Sequence, residues 1–306
     1  MSKGKKIFLI IFGIVAVIVI GIVGVGAKLY MDLSSSIQKT YESVERDQAR
    51  ENPLDLNRQE PFTVLLLGID TGDLGRTDQG RSDALMVATV NPNDGQTTIV
   101  SIPRDTYVEI VGHGTEDKIN HAYAFGGAAM SMDTVQKYLD IPIDHYVSMN
   151  MAGIKELVDA VGGVDINNDL KFDTKDYTFD IGKIHVDGDQ ALAFTRMRYD
   201  DPNGDYGRQG RQRSVVAAVA KKALSLDGVT QYQEVLNAME GNMKTDMDFS
   251  TMQKIALDYR DAFGKIEQVQ IQGDGFMQDG ISYQRVSADE LARVQSILKE
   301  QLGTSN

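Results

Sequence analysis

In a chain with a formal net charge of -13, five arginines fall between Arg196 and Arg213. Two sit in Thr195-Arg196-Met197-Arg198. The others lie in Asp205-Tyr206-Gly207-Arg208-Gln209-Gly210-Arg211-Gln212-Arg213. A guanidinium keeps its charge and donates two parallel hydrogen bonds, which matches two oxygens of a phosphate. Surface ion pairing is the plainer account of an arginine run; the neighbours of this run favour phosphate. Helical spacing places Arg208 and Gln212 on one face, with Arg211 a turn-neighbour of Arg208. Arg213, beyond that pair, is expected toward solvent. Gly204, Gly207 and Gly210 leave the backbone bare for close approach to a ligand.

Two further clusters stand at element ends. Asp70 directly follows the apolar run Phe62–Ile69, and Arg81-Ser82-Asp83 precedes the next one. Asp70 and Asp83 thus flank one Gly- and Asp-rich loop, Thr71–Gly80, and can meet at its base. Two carboxylates there suit a hard, oxygen-liganded cation such as Mg²⁺, although aspartates that merely cap a loop look the same. Pro103-Arg104-Asp105 follows the run Thr97–Ile102. Carboxylates and arginines together at element ends suggest a pyrophosphate site, since metal and arginine clamps stabilise a transferring phosphoryl group. Asp105 and Asp83 are the candidates for a base. The histidines at 113, 121, 145 and 185 show no metal spacing, and no Gly-Lys-Ser/Thr follows the glycine-rich loop, so it is not a Walker loop.

These residues need elements to hold them. Phe62–Ile69, Ala84–Val90 and Thr97–Ile102 read as buried strands, the last two joined by the turn Asn91-Pro92-Asn93-Asp94-Gly95. Gly126–Asp140 has helical spacing. Asp144–Ser148 reads as a strand, and Met151–Val161 as a helix closed by Gly162-Gly163. Asp189–Met197 and Tyr206–Leu224 read as helices, followed by helices near 232–239, 249–263 and 288–302 and a strand near 266–271. Alternation of this kind predicts an α/β fold: a layered α-β-α domain with helices on both faces of a central sheet. Ligand sites in such folds lie beyond strand ends, which is where the three clusters sit.

The motifs together resemble the LytR-CpsA-Psr family. The matching stretches are Leu66–Asp70, Arg81–Asp83, Ser101–Asp105, Lys118–Tyr123, Ile143–Tyr146, Val161–Val164, Leu192–Arg198, and Asp205–Arg208 with Arg211–Arg213, in the family's order across residues 62–224. The resemblance implies a mixed sheet and a polyprenyl-binding tunnel. It implies a phosphotransferase that moves an anionic glycopolymer, of teichoic acid or capsule type, from undecaprenyl pyrophosphate to peptidoglycan through a phosphodiester. Carried over by position, Asp70 and Asp83 hold Mg²⁺ (or Mn²⁺), while Arg81, Arg104, Arg196, Arg198, Arg208 and Gln212 surround the pyrophosphate. Arg104, Arg196, Arg198 and Asp83 are the implied catalytic set.

The amino terminus bears on where this chemistry happens. Ile7–Ala27 carries no charge and, at 1.5 Å per residue, spans a hydrocarbon core of about 30 Å. Lys3, Lys5 and Lys6 precede it, so the positive-inside rule keeps residues 1–6 in the cytoplasm and everything after the span outside. The expected plan is a single-pass type II anchor at 7–27, a stalk at 28–61 and one domain at 62–306, with the tail 227–306 less diagnostic. The resemblance implies a Gram-positive cell membrane. The four lysines of residues 1–28 leave the remainder more acidic than the whole chain, which excludes nucleic-acid binding by general electrostatics. There are no cysteines, hence no disulfides or thiolate metal sites. The same clamp also suits hydrolysis of a lipid-linked pyrophosphate, or a non-enzymatic polyprenyl carrier. A transcriptional regulator would need a cytoplasmic DNA-binding surface that six residues do not provide.

Overall fold

The computed structural model describes residues 35, 38–47, 49–70, 80–223 and 229–304. The expected anchor and most of the loop between Asp70 and Gly80 lie outside these residues. Among the described residues no helix is long and apolar enough to cross a membrane.

In chain order the first elements are β1 (Phe62–Ile69), β2 (Ser82–Asn91), β3 (Gln96–Ile102), the hairpin β4 (Tyr107–Ile110) and β5 (Thr115–Lys118), and α1 (His121–Leu139). Then come β6 (His145–Asn150), α2 (Met151–Ala160), β7 (Val164–Asn168), the short β8 (Phe172–Asp173) and β9 (Thr178–Phe179), β10 (Gly182–Val186) and α3 (Gly188–Arg196). The chain continues with α4 (Asp205–Ala223), α5 (Val229–Met239), β11 (Met243–Thr245), α6 (Phe249–Asp258), β12 (Lys265–Gln270), the hairpin β13 (Asp274–Gln278) and β14 (Ile281–Arg285), and α7 (Ala288–Leu302).

The central sheet runs β11-β6-β1-β2-β3-β12 and is mixed. β1 pairs parallel with β6 and antiparallel with β2, and β12 joins β3 in parallel. Side chains alternate across a strand, and β1 shows the result. Leu65, Leu67 and Ile69 enter the main core with Met132, Val135 and Leu139 of α1 and Val294, Leu298 and Leu302 of α7. Leu66 faces the other way, toward Met86, Ala88, Ile99 and the α4 residues Val216 and Ala217. Helices therefore cover both faces, as expected for an α-β-α layering.

Three details differ from the sequence reading. Helix α1 begins at His121 rather than Gly126 and kinks at Gly126–Gly127, where Gly127 has φ 64°. The segment expected to be a free stalk lies partly against the domain. Arg46 donates to the Ile143 carbonyl and Gln136 Oε1, and Arg50 grips Asp144 through two nitrogens at 2.6 and 2.7 Å. The small hairpins β4–β5 and β13–β14 are additions that β-propensity over four or five residues did not reveal. They matter because the Gln284 amide donates to the Asp105 carbonyl at 2.8 Å, which fixes the loop carrying Arg104.

Candidate active site

A cavity of about 680 Å³ opens between the sheet face and helices α2, α3 and α4. Its polar lining comprises Asp70, Asp83, Thr195, Arg196, Arg208 and Gln212. The remainder is apolar: Leu66, Leu67, Gly68, Ala84 and Met86 from β1 and β2, Val147 and Met149 from β6, Met151, Ile154 and Leu157 from α2, and Val215, Val216, Val219 and Ala220 from α4. The two kinds are sorted along each element. On α4 the polar Arg208 and Gln212 come first and the valines follow. On β2 Asp83 precedes Ala84 and Met86, and β1 runs from Leu66 to Asp70 toward the same polar end. From Arg208 to Ala220 the helix rises about 18 Å at 1.5 Å per residue. Gly68 and Ala84 keep this wall thin, since a Cβ on Gly68 would lie 2.9 Å from the Ala84 Cβ.

Local structure explains how each polar group arrives there. Asp70 and Arg81 close the base of their loop by exchanging hydrogen bonds: Asp70 N donates to the Arg81 carbonyl, and Arg81 N donates to Asp70 Oδ1, both at 3.1 Å. Helix α3 starts in a reciprocal capping box between Asp187 and Gln190. It ends at Arg196, where a cation suits the negative end of the helix dipole. Met197 is already extended, so Arg196 and Arg198 leave in different directions. The loop that follows is tied by Asp201. Its carboxylate accepts from Asn203 N and from Arg211 Nη1, the latter at 2.5 Å. A Cβ on Gly207 would fall 1.9 Å from Asp201 Oδ2. That glycine admits the aspartate, not a ligand as the sequence suggested.

The sequence-predicted residues divide accordingly. Asp70, Asp83, Arg196, Arg208 and Gln212 line one cavity. Arg104 joins them through Asp83, with Nη1 2.9 Å from Oδ1. Arg198 joins through Asp205, 3.5 Å from Nε. Arg81 is exposed and does not line the cavity. Asp105 sits 2.8 Å from Lys118 Nζ and 3.8 Å from Arg104 Nε, at the edge of the site. Arg211 is buried in a structural role on Asp201, the Phe194 and Met197 carbonyls, and the faces of Phe172 and Phe194. Arg213, expected toward solvent, is only 8 % exposed; α4 packs along β3 and β12 and turns it inward.

Asp205 is the residue the sequence reading passed over. It lies 2.6 Å from Arg208 Nη2 and accepts from Gln209 Nε2 at 2.9 Å. Its spacing to Arg208 and Gln209, three and four residues within one helix, is the signal that was present.

The electrostatics favour an anion. Burial works against the Arg104 charge, but Asp83, Asp105 and Asp205 outweigh it and hold the guanidinium above its ordinary pKa. Arg208 moves the other way: burial lowers it, Asp205 opposes, and Arg104 and Arg198 add repulsion. Both remain cations at neutral pH. Among the described residues, the donors Arg104 Nε and Arg208 Nε and Nη2 are buried without a hydrogen-bond partner. The Arg208–Asp205 contact is close but poorly aligned. Unsatisfied buried donors are costly, and an anion with several oxygens would satisfy them.

Comparison with known proteins shows the family. Residues 27–300 match the model of the LytR_cpsA_psr family. An Enterococcus faecalis protein named polyisoprenyl-teichoic acid--peptidoglycan teichoic acid transferase TagU is 64% identical over 304 residues, covering 99% of this chain and 100% of that protein. A solved structure of TagT bound to LIIa-WTA superposes with a TM-score of 0.71 at 29% identity, covering 85% of this chain and 97% of that one. An Enterococcus faecalis crystal structure described as a transcriptional regulator gives 0.73 at 46% identity, covering 81% and 90%.

Proposed function

Because the chain belongs to the LytR_cpsA_psr family, we propose that its transferase activity moves a teichoic acid or similar anionic glycopolymer from a polyprenyl pyrophosphate carrier to peptidoglycan. The observation that carries this reading is the sorting of one cavity into an arginine-rich end and an apolar bore, the two together running along about 18 Å of α4. A ligand that satisfies both ends has a multiply charged head and a long apolar tail, which describes a lipid diphosphate. The bore takes the place of the expected polyprenyl tunnel. Its methionines, Met86, Met149 and Met151, give an adaptable lipid wall.

In this reading Arg104, Arg196, Arg198 and Arg208 surround the diphosphate, and Gln212 donates to it. An acceptor hydroxyl oxygen attacks the phosphorus on the glycopolymer side. A new P–O bond forms, the bridging P–O bond to the lipid phosphate breaks, and polyprenyl phosphate leaves. The arginines stabilise the charge that builds on the non-bridging and leaving oxygens. The hydroxyl proton passes to a carboxylate of the site, with Asp83 and Asp105 the candidates. Asp70 and Asp83 fit Mg²⁺. They are oxygen donors at the cavity's polar end, and two protein carboxylates leave the remaining positions to water and phosphate oxygens, as this ion prefers. Mn²⁺ can use the same donors. The ion's contribution there is to neutralise diphosphate charge.

The tail reading has a direct test. Farnesyl diphosphate should displace a fluorescent lipid diphosphate at concentrations at least tenfold below those needed for inorganic pyrophosphate, because burying apolar carbon contributes about 25 cal/mol per Å². Equal potency would remove the lipid from the account. The position of the domain outside the cell is likewise a proposal, resting on Lys3, Lys5 and Lys6 before the apolar run. Protease added to protoplasts should digest the domain; a carboxyl-terminal reporter active only in the cytoplasm would overturn that topology.

A further inference from the structure

Beside the Arg208/Gln212 row, α4 carries a second polar row, Asp205, Gln209 and Arg213, at four-residue spacing. Gln209 is 5 % exposed and Arg213 8 %. Among the described residues no carboxylate lies within ion-pairing distance of Arg213, and its Nε has no hydrogen-bond partner. Burial alone pushes it down to about 10. An arginine kept buried without a counter-ion is costly, and an apolar side chain of similar volume usually packs there more stably. Its retention calls for a use.

The use follows from which atoms donate. Arginine has donors only. Arg213 Nη1 therefore requires the side-chain oxygen Oε1 of Gln270, at the end of β12, and meets it at 2.5 Å. That orientation turns Gln270 Nε2 toward Gln209 Oε1, at 2.8 Å. Gln209 must then present its Nε2 to Asp205 Oδ2, at 2.9 Å. Gln270 is held this way round from both ends, by Arg213 on its oxygen and by the Ile271 carbonyl, which also accepts from its Nε2 at 2.9 Å, so neither amide is left a choice between two flips. Asp205 is pinned by one oxygen, and its other oxygen is left facing Arg208 Nη2 at 2.6 Å and Arg198 Nε at 3.5 Å.

We propose that Arg213, Gln270 and Gln209 form a directed relay that positions Asp205, and through it sets Arg198 and Arg208 for the diphosphate. None of the three relay residues lines the cavity, so they are positioning residues. The proposal rests on the diphosphate reading above. Without the arginine, Gln270 keeps only the Ile271 carbonyl to hold it against turning over. In the molecules where it does turn, Gln209 offers its carbonyl to Asp205, and two acceptors repel where a hydrogen bond stood.

The test uses the purified full-length chain, with melting temperature and binding of inorganic pyrophosphate and farnesyl diphosphate as readouts. In Gln270→Glu the new carboxylate pairs with Arg213, which offsets the hydrogen bond lost to the Ile271 carbonyl, so the melting temperature should hold. The carboxylate has no proton for Gln209 Oε1, so Gln209 reverses, and affinity for both probes should fall about tenfold. Arg213→Met should also lose about tenfold. Arg213→Gln, which lacks the charge but can donate from its amide, should bind within about threefold of wild type; this separates direction from charge. Wild-type affinity in both Gln270→Glu and Arg213→Met would overturn the relay. So would a loss of affinity in Gln270→Glu that merely tracks a loss of stability. A wild-type chain that binds neither probe would instead overturn the diphosphate reading on which the relay stands.

Discussion

Replacing Arg104, Arg196, Arg198 or Arg208 with lysine is expected to slow glycopolymer transfer thirty- to more than a hundredfold at each position. Lysine keeps the charge but loses the planar fork, so two parallel hydrogen bonds become one. Removing a single preorganised donor of this kind costs about 2–3 kcal/mol of transition-state stabilisation, which converts to that range of rates. The loss should be largest at Arg208, whose Nε and Nη2 are already buried without partners, and at Arg104, which Asp83 holds in place at 2.9 Å. Arg58 is the internal control. Its side chain is 68% exposed beside Asp55 and Glu60, and Arg58→Lys should be nearly silent. Lysine tolerated equally at all five positions would reduce the site to a diffuse positive field.

The second large effect belongs to Asp83, and its sign differs between binding and turnover. Asp83→Ala removes a proposed Mg²⁺ ligand, worth several kcal/mol of charge stabilisation, so transfer should fall more than about a hundredfold. The same change releases Arg104 from its ion pair. Diphosphate binding in EDTA should therefore be retained or strengthened in this variant. Asp70→Ala should share the loss of turnover, and it also removes the carboxylate that accepts from the Arg81 backbone at the base of the loop. Transfer that continues undiminished in EDTA would take the metal out of the mechanism.

What was legible in the sequence was set by local rules. Continuous apolar strands such as Phe62–Ile69, the Asn91–Gly95 turn and the Gly162-Gly163 helix stop announce themselves, and they place Asp70, Asp83 and Arg104 at element ends. The Arg208/Gln212 pair needs only helical spacing. What depends on packing between distant segments was not legible. Val147, Ile154 and Val219 read as ordinary core residues until α2 and α4 leave a bore between them and the sheet. Arg213 reads as a surface arginine because its partner, Gln270, is contributed by β12. The segment before residue 62 reads as polar and loose, yet Arg46 and Arg50 dock onto Gln136 and Asp144.

The central claim is that a glycopolymer is transferred, rather than a lipid diphosphate merely bound or hydrolysed. One measurement separates these: the full-length chain incubated with Mg²⁺, a polyprenyl pyrophosphate-linked sugar and peptidoglycan fragments, with products resolved by mass spectrometry. Transfer predicts a sugar joined to the fragment through one phosphodiester, with polyprenyl phosphate released in equal amount and both products lost in Arg208→Lys. Polyprenyl phosphate appearing with a free sugar phosphate, and no fragment adduct, would contradict the account and make the protein a hydrolase.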